Sequence, residues 1–202
     1  MLTDAQVERY SRQIILPEVG ARGQERLRAS RVAVAGDGEA AITAALLLGR
    51  AGVGELDVDE GVGTLPEVAP GCRVSRGSDD RMDVVIALMS LAPPDGGAWG
   101  ILWKNEPGMP VVFGMLGPRV VVATLLWRSC LACFPDASPV HDAVPLSPPA
   151  HTILGALAAS EALRVLLTAP TKSRLTMLDV ARGMAIVKEV EPVGCTACKA
   201  LA

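Results

Sequence analysis

The sequence predicts an α/β protein, a doubly wound mixed sheet with helices on both faces, and three observations point there. The short apolar run Arg31-Val-Ala-Val-Ala-Gly36 ends in glycines and opens into an apolar helical stretch from Ala40 to Ala51, the strand–turn–helix order of a βαβ unit. Ala, Val, Leu and Gly dominate while aromatics make up 3%, which favours close helix-on-sheet packing over a bulky aromatic core. At 202 residues, 50% of them hydrophobic, the chain can bury one substantial core, so a single domain over 1–202 is expected.

The elements follow in order. Residues 3–12 are predicted helical, with Thr3 as N-cap, Gln6 three positions on and a charged face of Glu8, Arg9 and Arg12. A second short helix covers Ala21–Ala29, completing an N-terminal helical arm over 1–30. The Rossmann-like part spans 31–128. Its first strand and helix are followed by Gly52-Val-Gly54 and a short strand through Leu56 and Val58, which reaches Asp59 and Glu60. Gly61–Asp80, rich in Gly, Pro, Ser and charge, reads as loop or weak strand. Met82–Leu88 is a buried strand, the Pro93–Gly100 stretch precedes a short helix near Trp103, and Pro110–Met115 and Pro118–Trp127 are two further strands. The C-terminal part, which carries four of the five cysteines, spans 129–202. Within it Ser129–Pro149 is irregular, Thr152–Thr168 is a long apolar helix with Glu161 and Arg164 on its polar side, and Arg174–Val180 and Met184–Val190 are the closing strands.

Lys and Arg total 19 against 22 Asp and Glu, a net charge of -3; with no basic tract or aromatic ladder, nucleic acid is not an expected partner. The start MLTDAQVERYSRQ lacks the apolar run of a signal peptide. No run of roughly 18 apolar residues suggests a membrane span, so a cytoplasmic location and no membrane partner are expected.

Four of the five cysteines form two CxxC pairs, Cys130–Cys133 and Cys195–Cys198. A two-residue spacer lets both sulfurs reach one ion about 2.3 Å away, and two such pairs make a tetrahedral tetrathiolate zinc site with no position open for water. Structural zinc is therefore expected there, tying the C-terminal tail to the segment after Trp127; redox-active thiols are the alternative. Cys72 stands apart and reads as a plain buried or loop thiol.

Gly36-Asp-Gly38 after a strand and before a helix is a place where a nucleotide phosphate meets free backbone N–H groups, with an ordinary glycine turn of a doubly wound fold as the alternative. Glu39 and Ala41 replace residues such a loop keeps small and uncharged, and a carboxylate at Glu39 is expected to repel a triphosphate. Asp59 or Glu60, about 20 residues on, can accept hydrogen bonds from ribose hydroxyls. His141 and His151 lie in proline-rich surroundings and form no catalytic constellation with a nucleophile and carboxylate.

The string Arg9-Tyr-Ser-Arg-Gln-Ile-Ile-Leu-Pro-Glu-Val-Gly20, with Gly23-Gln24 and the strand to Gly36, resembles the opening of ThiF/MoeB-type proteins. Ala51-Gly-Val-Gly54, Met82-Asp-Val-Val-Ile, Gly108-Met-Pro-Val-Val, both CxxC pairs and Gly155–Leu167 follow in that family's order, over nearly the whole chain. The resemblance implies a doubly wound fold, usually in a homodimer. The implied chemistry is ATP- and magnesium-dependent adenylation of the C-terminal glycine of a small ubiquitin-like or sulfur-carrier protein. It makes Cys130, Cys133, Cys195 and Cys198 the zinc ligands and Arg12 the arginine that reaches the partner's ATP phosphates. Glu60 stands where the family has a ribose-binding aspartate, alongside Gly36 and Gly38 at the nucleotide loop.

The departures are equally specific. The family's Asn-Leu-x-Arg-Gln segment and its following lysine have no counterpart between Gly61 and Asp80, and Ser90 or a neighbour falls where a magnesium-binding aspartate is expected. The loop before Gly155 has no cysteine for a thioester or persulfide step. Adenylation depends on positioning and on neutralising charge around the α-phosphate, so these losses make the chain's own ATP/Mg2+ use doubtful. They point instead to a non-catalytic binding partner or inactive subunit of a homo- or heterodimer, its partners a small ubiquitin-like or sulfur-carrier protein or an active ThiF-type subunit. An active adenylyltransferase, with Arg73, Arg76 or Arg81 replacing the missing cations, and a nucleotide-independent docking platform are the alternatives.

Overall fold

The computed structural model describes residues 2–36, 38–63, 65, 68–77, 81–89, 109–116, 120–125, 129, 133, 148–179 and 182–191. Helix α1 (Asp4–Ile14) begins on a capping box: the Thr3 hydroxyl accepts from the Gln6 amide, and the Gln6 side chain accepts from the Thr3 amide at 2.9 Å. Asp4 in the first turn and Arg12 in the last complement the helix dipole. Helix α2 (Gly20–Ala29) turns back against α1 and buries Gly23, Gln24 and Leu27.

Eight strands form one mixed sheet: β1 (Arg31–Ala35), β2 (Glu55–Val58), β3 (Arg73–Ser75), β4 (Val84–Met89), β5 (Val111–Leu116), β6 (Val120–Leu125), β7 (Ser173–Asp179) and β8 (Met184–Val190). Their order is β3-β2-β1-β4-β5-β6-β7-β8. The first five run parallel, with Val32 opposite both Leu56 and Val84, and β6, β7 and β8 then alternate direction as an antiparallel meander. Chain order reverses on either side of β1, because β2 and β3 lie to one side of it and β4 to the other. Sheets of this kind leave a crevice at the carboxyl ends of the strands beside that reversal.

Helix α3 (Gly38–Ala51) and helix α4 (Pro148–Thr168) pack against each other and share a face of the sheet, α4 lying over β4, β5 and β6. Small residues make this possible. Ala40, Ala41, Ala44 and Ala45 are buried along α3, and a side chain on Gly155 of α4 would fall 2.3 Å from the Ala40 carbonyl oxygen. The core between helices and sheet is aliphatic, built from Val32, Val34, Leu48, Leu56, Ile86, Val112 and Leu154, as the scarcity of aromatics implies.

Most expected elements are present within a few residues, and the differences have local causes. Helix α4 starts at Pro148 rather than Thr152, because proline fits a helix's first turn, where no intrahelical N–H bond is lost. This helix is also long and apolar enough by composition to cross a membrane, which corrects the expectation that no such segment exists. In the fold it is a core helix, with Leu154, Ala158, Ala162, Val165 and Leu166 buried. The stretch Gly61–Asp80 holds a real strand, β3, paired to β2. The short helix expected near Trp103 lies outside the described residues, so the described helices account for one covered face of the sheet.

Candidate nucleotide cleft

The carboxyl ends of β1 and β2 open into a cleft of about 320 Å³ lined by Ala33, Val34, Ala35, Asp57, Val58, Asp59, Glu60, Arg76 and Gly77. Gly36 follows β1 with φ +135 and lies so close to the Leu88 carbonyl oxygen that a Cβ would sit 2.4 Å from it; no other residue fits. Gly38, with φ +67, starts α3. The Gly36 amide donates to the Asp59 carboxylate at 2.9 Å, so the glycine turn is tied to the end of β2.

That bond distinguishes the surroundings of the two acidic residues the sequence offered for a ribose, both of which line the cleft. Asp59 is engaged with the loop. Glu60, exposed at the start of a 3-10 turn (Glu60–Val62), stays on the cleft wall. The Glu39 carboxylate accepts from the Thr43 hydroxyl one turn along α3, at 3.4 Å, on the exposed side.

Of the three arginines weighed as replacements for lost phosphate ligands, Arg76 lines the cleft. Its Nη1 donates to the Asp59 carbonyl at 2.7 Å, and its Nη2 to the Gly63 carbonyl. Arg73 is instead drawn to Glu55, 2.6 Å away and shared with Arg31 at 3.4 Å, and Arg81 is not among the lining residues. The described lining thus sets three carboxylates, on Asp57, Asp59 and Glu60, against one guanidinium. Acceptors of this kind can take hydrogen bonds from hydroxyl groups.

Arg12 stands exposed in the last turn of α1 and does not belong to the cleft lining of its own chain. Cys133 is partly buried; Cys130, Cys195 and Cys198 lie outside the described residues, as do Ser90 and His141. Among the described residues no cluster of three or more His, Cys, Asp or Glu side chains gathers to hold a metal. Cys72 is half-buried, and burial, with the nearby Glu55 charge adding to it, pushes its thiol up to about 11. It is therefore an uncharged thiol at neutral pH, in line with the plain role expected of it. His151 lies partly buried in the first turn of α4.

Comparison with known proteins places this geometry. The profile of the ThiF family matches residues 10–61, the segment that contains Arg12, Gly36, Gly38 and Glu60. Over that segment the chain is similar to ThiF-family proteins. Over 55 residues the chain is 53% identical to the vegetative protein HesA of Trichormus variabilis, a match covering 27% of the chain and 21% of HesA. Over 60 residues it is 45% identical to the adenylyltransferase and sulfurtransferase uba4 of Neosartorya fischeri, covering 30% of the chain and 12% of uba4. The matches thus span about a fifth or less of those relatives' lengths. The fold is that of E. coli MccB, with a TM-score of 0.69 at 15% identity over 94% of this chain and 74% of MccB. PaaA shares it with a TM-score of 0.65 at 17% identity, over 94% of this chain and 84% of PaaA. MccB has been solved with ATP and with N-formylated MccA.

Proposed function

We propose that this chain is a non-catalytic binding member of the ThiF/MoeB-type family, one that keeps the nucleoside end of the cleft and, among the described residues, gathers no cations for the phosphate end. One observation carries the reading: three carboxylates share the described lining with a single guanidinium, and that guanidinium is turned onto two backbone carbonyls. Adenylation needs positive charge fixed around the α-phosphate, and removing one such contact commonly costs ~3 kcal/mol of transition-state stabilisation. A polyanionic triphosphate brought against Asp57, Asp59 and Glu60 gains none of it. The Glu60 carboxylate is instead suited to accept the two hydroxyls of a ribose.

In this reading the chain works by association. Its partner is a small ubiquitin-like or sulfur-carrier protein, or an active ThiF-type subunit to which Arg12 is offered across a homo- or heterodimer interface. A nucleotide and a peptide-like chain are the ligand classes that MccB, with the same fold, has been solved with. Structural zinc on Cys130, Cys133, Cys195 and Cys198 belongs to the proposal, because four thiolates in two CxxC pairs suit a closed tetrahedral site; a cytoplasmic setting, where thiols stay reduced, agrees with it.

The test is ATP–pyrophosphate exchange by the isolated protein, paired with calorimetry. No exchange is expected, and adenosine is expected to bind at least as tightly as Mg2+·ATP. Exchange by the isolated chain would replace this reading with that of an active adenylyltransferase. Metal analysis of the purified protein is expected to find zinc, lost in Cys133→Ser.

A further inference from the structure

Arg76 makes two contacts that bracket Glu60 in the chain. The Asp59 carbonyl immediately before it accepts from Nη1 at 2.7 Å, and the Gly63 carbonyl just past the 3-10 turn accepts from Nη2. The turn's inner side is fixed by Val62, buried in the core, and by the Asp59 amide on the Val34 carbonyl at 3.3 Å. Glu60 and Gly63 are exposed and, among the described residues, are bonded through the turn's own Gly63 N–H to the Glu60 carbonyl at 3.1 Å and through Arg76. The anchor behind Arg76 is firm by comparison. β3 pairs in register with β2, and Ser75, the residue before Arg76, donates to the Asp57 carboxylate at 3.1 Å.

We propose that Arg76 is a positioning residue, a two-pronged clamp from β3 that holds the Glu60 turn at the cleft so that the Glu60 carboxylate meets a nucleoside's vicinal diol. The inference rests on the nucleoside reading given above. Its physical basis is that a planar guanidinium presents two parallel donors at fixed spacing, so it locks two carbonyls relative to each other where a flexible ammonium does not. Both acceptors are neutral carbonyls, so these bonds fix Arg76 through geometry, whereas Arg73 is paired with the Glu55 carboxylate.

The experiment measures, by calorimetry on the full chain, the ratio of the Kd for 2′,3′-dideoxyadenosine to that for adenosine. In the unaltered protein the ratio is expected to be about ten or more, the loss that goes with hydrogen bonds to a charged group. It should fall toward one in Glu60→Gln, fall similarly in Arg76→Ala, and fall no further in the double variant, because both act on one interaction. Should Arg76→Ala fail to fold, Arg76→Lys keeps the charge without the fork and is expected to lower the ratio as well. An undiminished ratio in a folded Arg76 variant overturns the clamp and leaves the nucleoside reading standing, whatever the change in Tm. A ratio near one in the unaltered protein overturns both.

Discussion

The carboxylate of Asp59 holds the amide of Gly36 at 2.9 Å, joining the end of β2 to the turn that opens α3. Replacing Asp59 with Ala should leave that amide without its carboxylate partner and free the glycine turn. The expected loss is about 1–2 kcal/mol, read as a lower urea midpoint with an unchanged slope. Asp59→Asn, which keeps an acceptor, should lose less; equal losses would show that the bond is not what holds the turn.

Helix contact through Gly155 sets a second expectation. A methyl group there would stand 2.3 Å from the Ala40 carbonyl oxygen and 2.8 Å from the Thr43 Cβ, so Gly155→Ala must push α4 away from α3. A cost of about 3 kcal/mol, at the upper end for overpacking, is expected. Gly63→Ala meets no neighbour within 4 Å but has φ +68, so its cost should be only about 1 kcal/mol. Chemical denaturation of both variants checks the order.

Glu161 lies buried in α4 and gathers three partners: the Thr124 hydroxyl at 2.9 Å, Arg164 Nε at 2.9 Å and Arg174 Nη1 at 3.5 Å. Glu161→Ala leaves two guanidiniums, each about a quarter exposed, without their counter-ion. A loss of about 3 kcal/mol or more is expected, against about 1 kcal/mol for Thr124→Val. Thermal unfolding should rank the two variants in that order.

The Cys72 thiol predicts a pH dependence. Its value in the fold, about 11, stands above its ordinary 9.0 because burial, aided by Glu55, disfavours the thiolate. The folded state therefore favours the protonated form; this contribution to stability is complete below pH 9 and is lost as pH rises toward 11. Alkylation of Cys72 by iodoacetamide should be negligible at pH 7 and accelerate above pH 10. Rapid labelling at pH 7 in the folded protein would contradict the buried placement.

What the sequence made legible tracks how local the signal is. The β1 run, Gly36, Gly38 and the alanine-rich α3 share one contiguous segment, and the capping box of α1 needs only Thr3 and Gln6. By contrast β3 is three residues long with an exposed, exposed, intermediate burial pattern; it has no apolar period of its own and exists because β2 offers it an edge. The split between Asp59 and Glu60 was equally hidden, since it turns on a hydrogen bond to Gly36 across 23 residues. The composition of 61–81 puts Arg73, Arg76 and Arg81 on equal terms, and only packing separates Arg76 at the cleft from Arg73 on buried Glu55.

The change of direction within the sheet has a consequence for how the chain assembles. β7 and β8 pair antiparallel across a short turn, with Asp179 opposite Met184, so little loop-closure entropy stands in their way. Each parallel pair instead joins residues far apart in the chain, Val32 with Val84 for example, and that ordering comes at a larger entropic cost. The hairpin should then be the early-forming end of the molecule and the parallel half the late one. The cleft, built on the ends of β1 and β2, would gain its shape only as the last crossovers close.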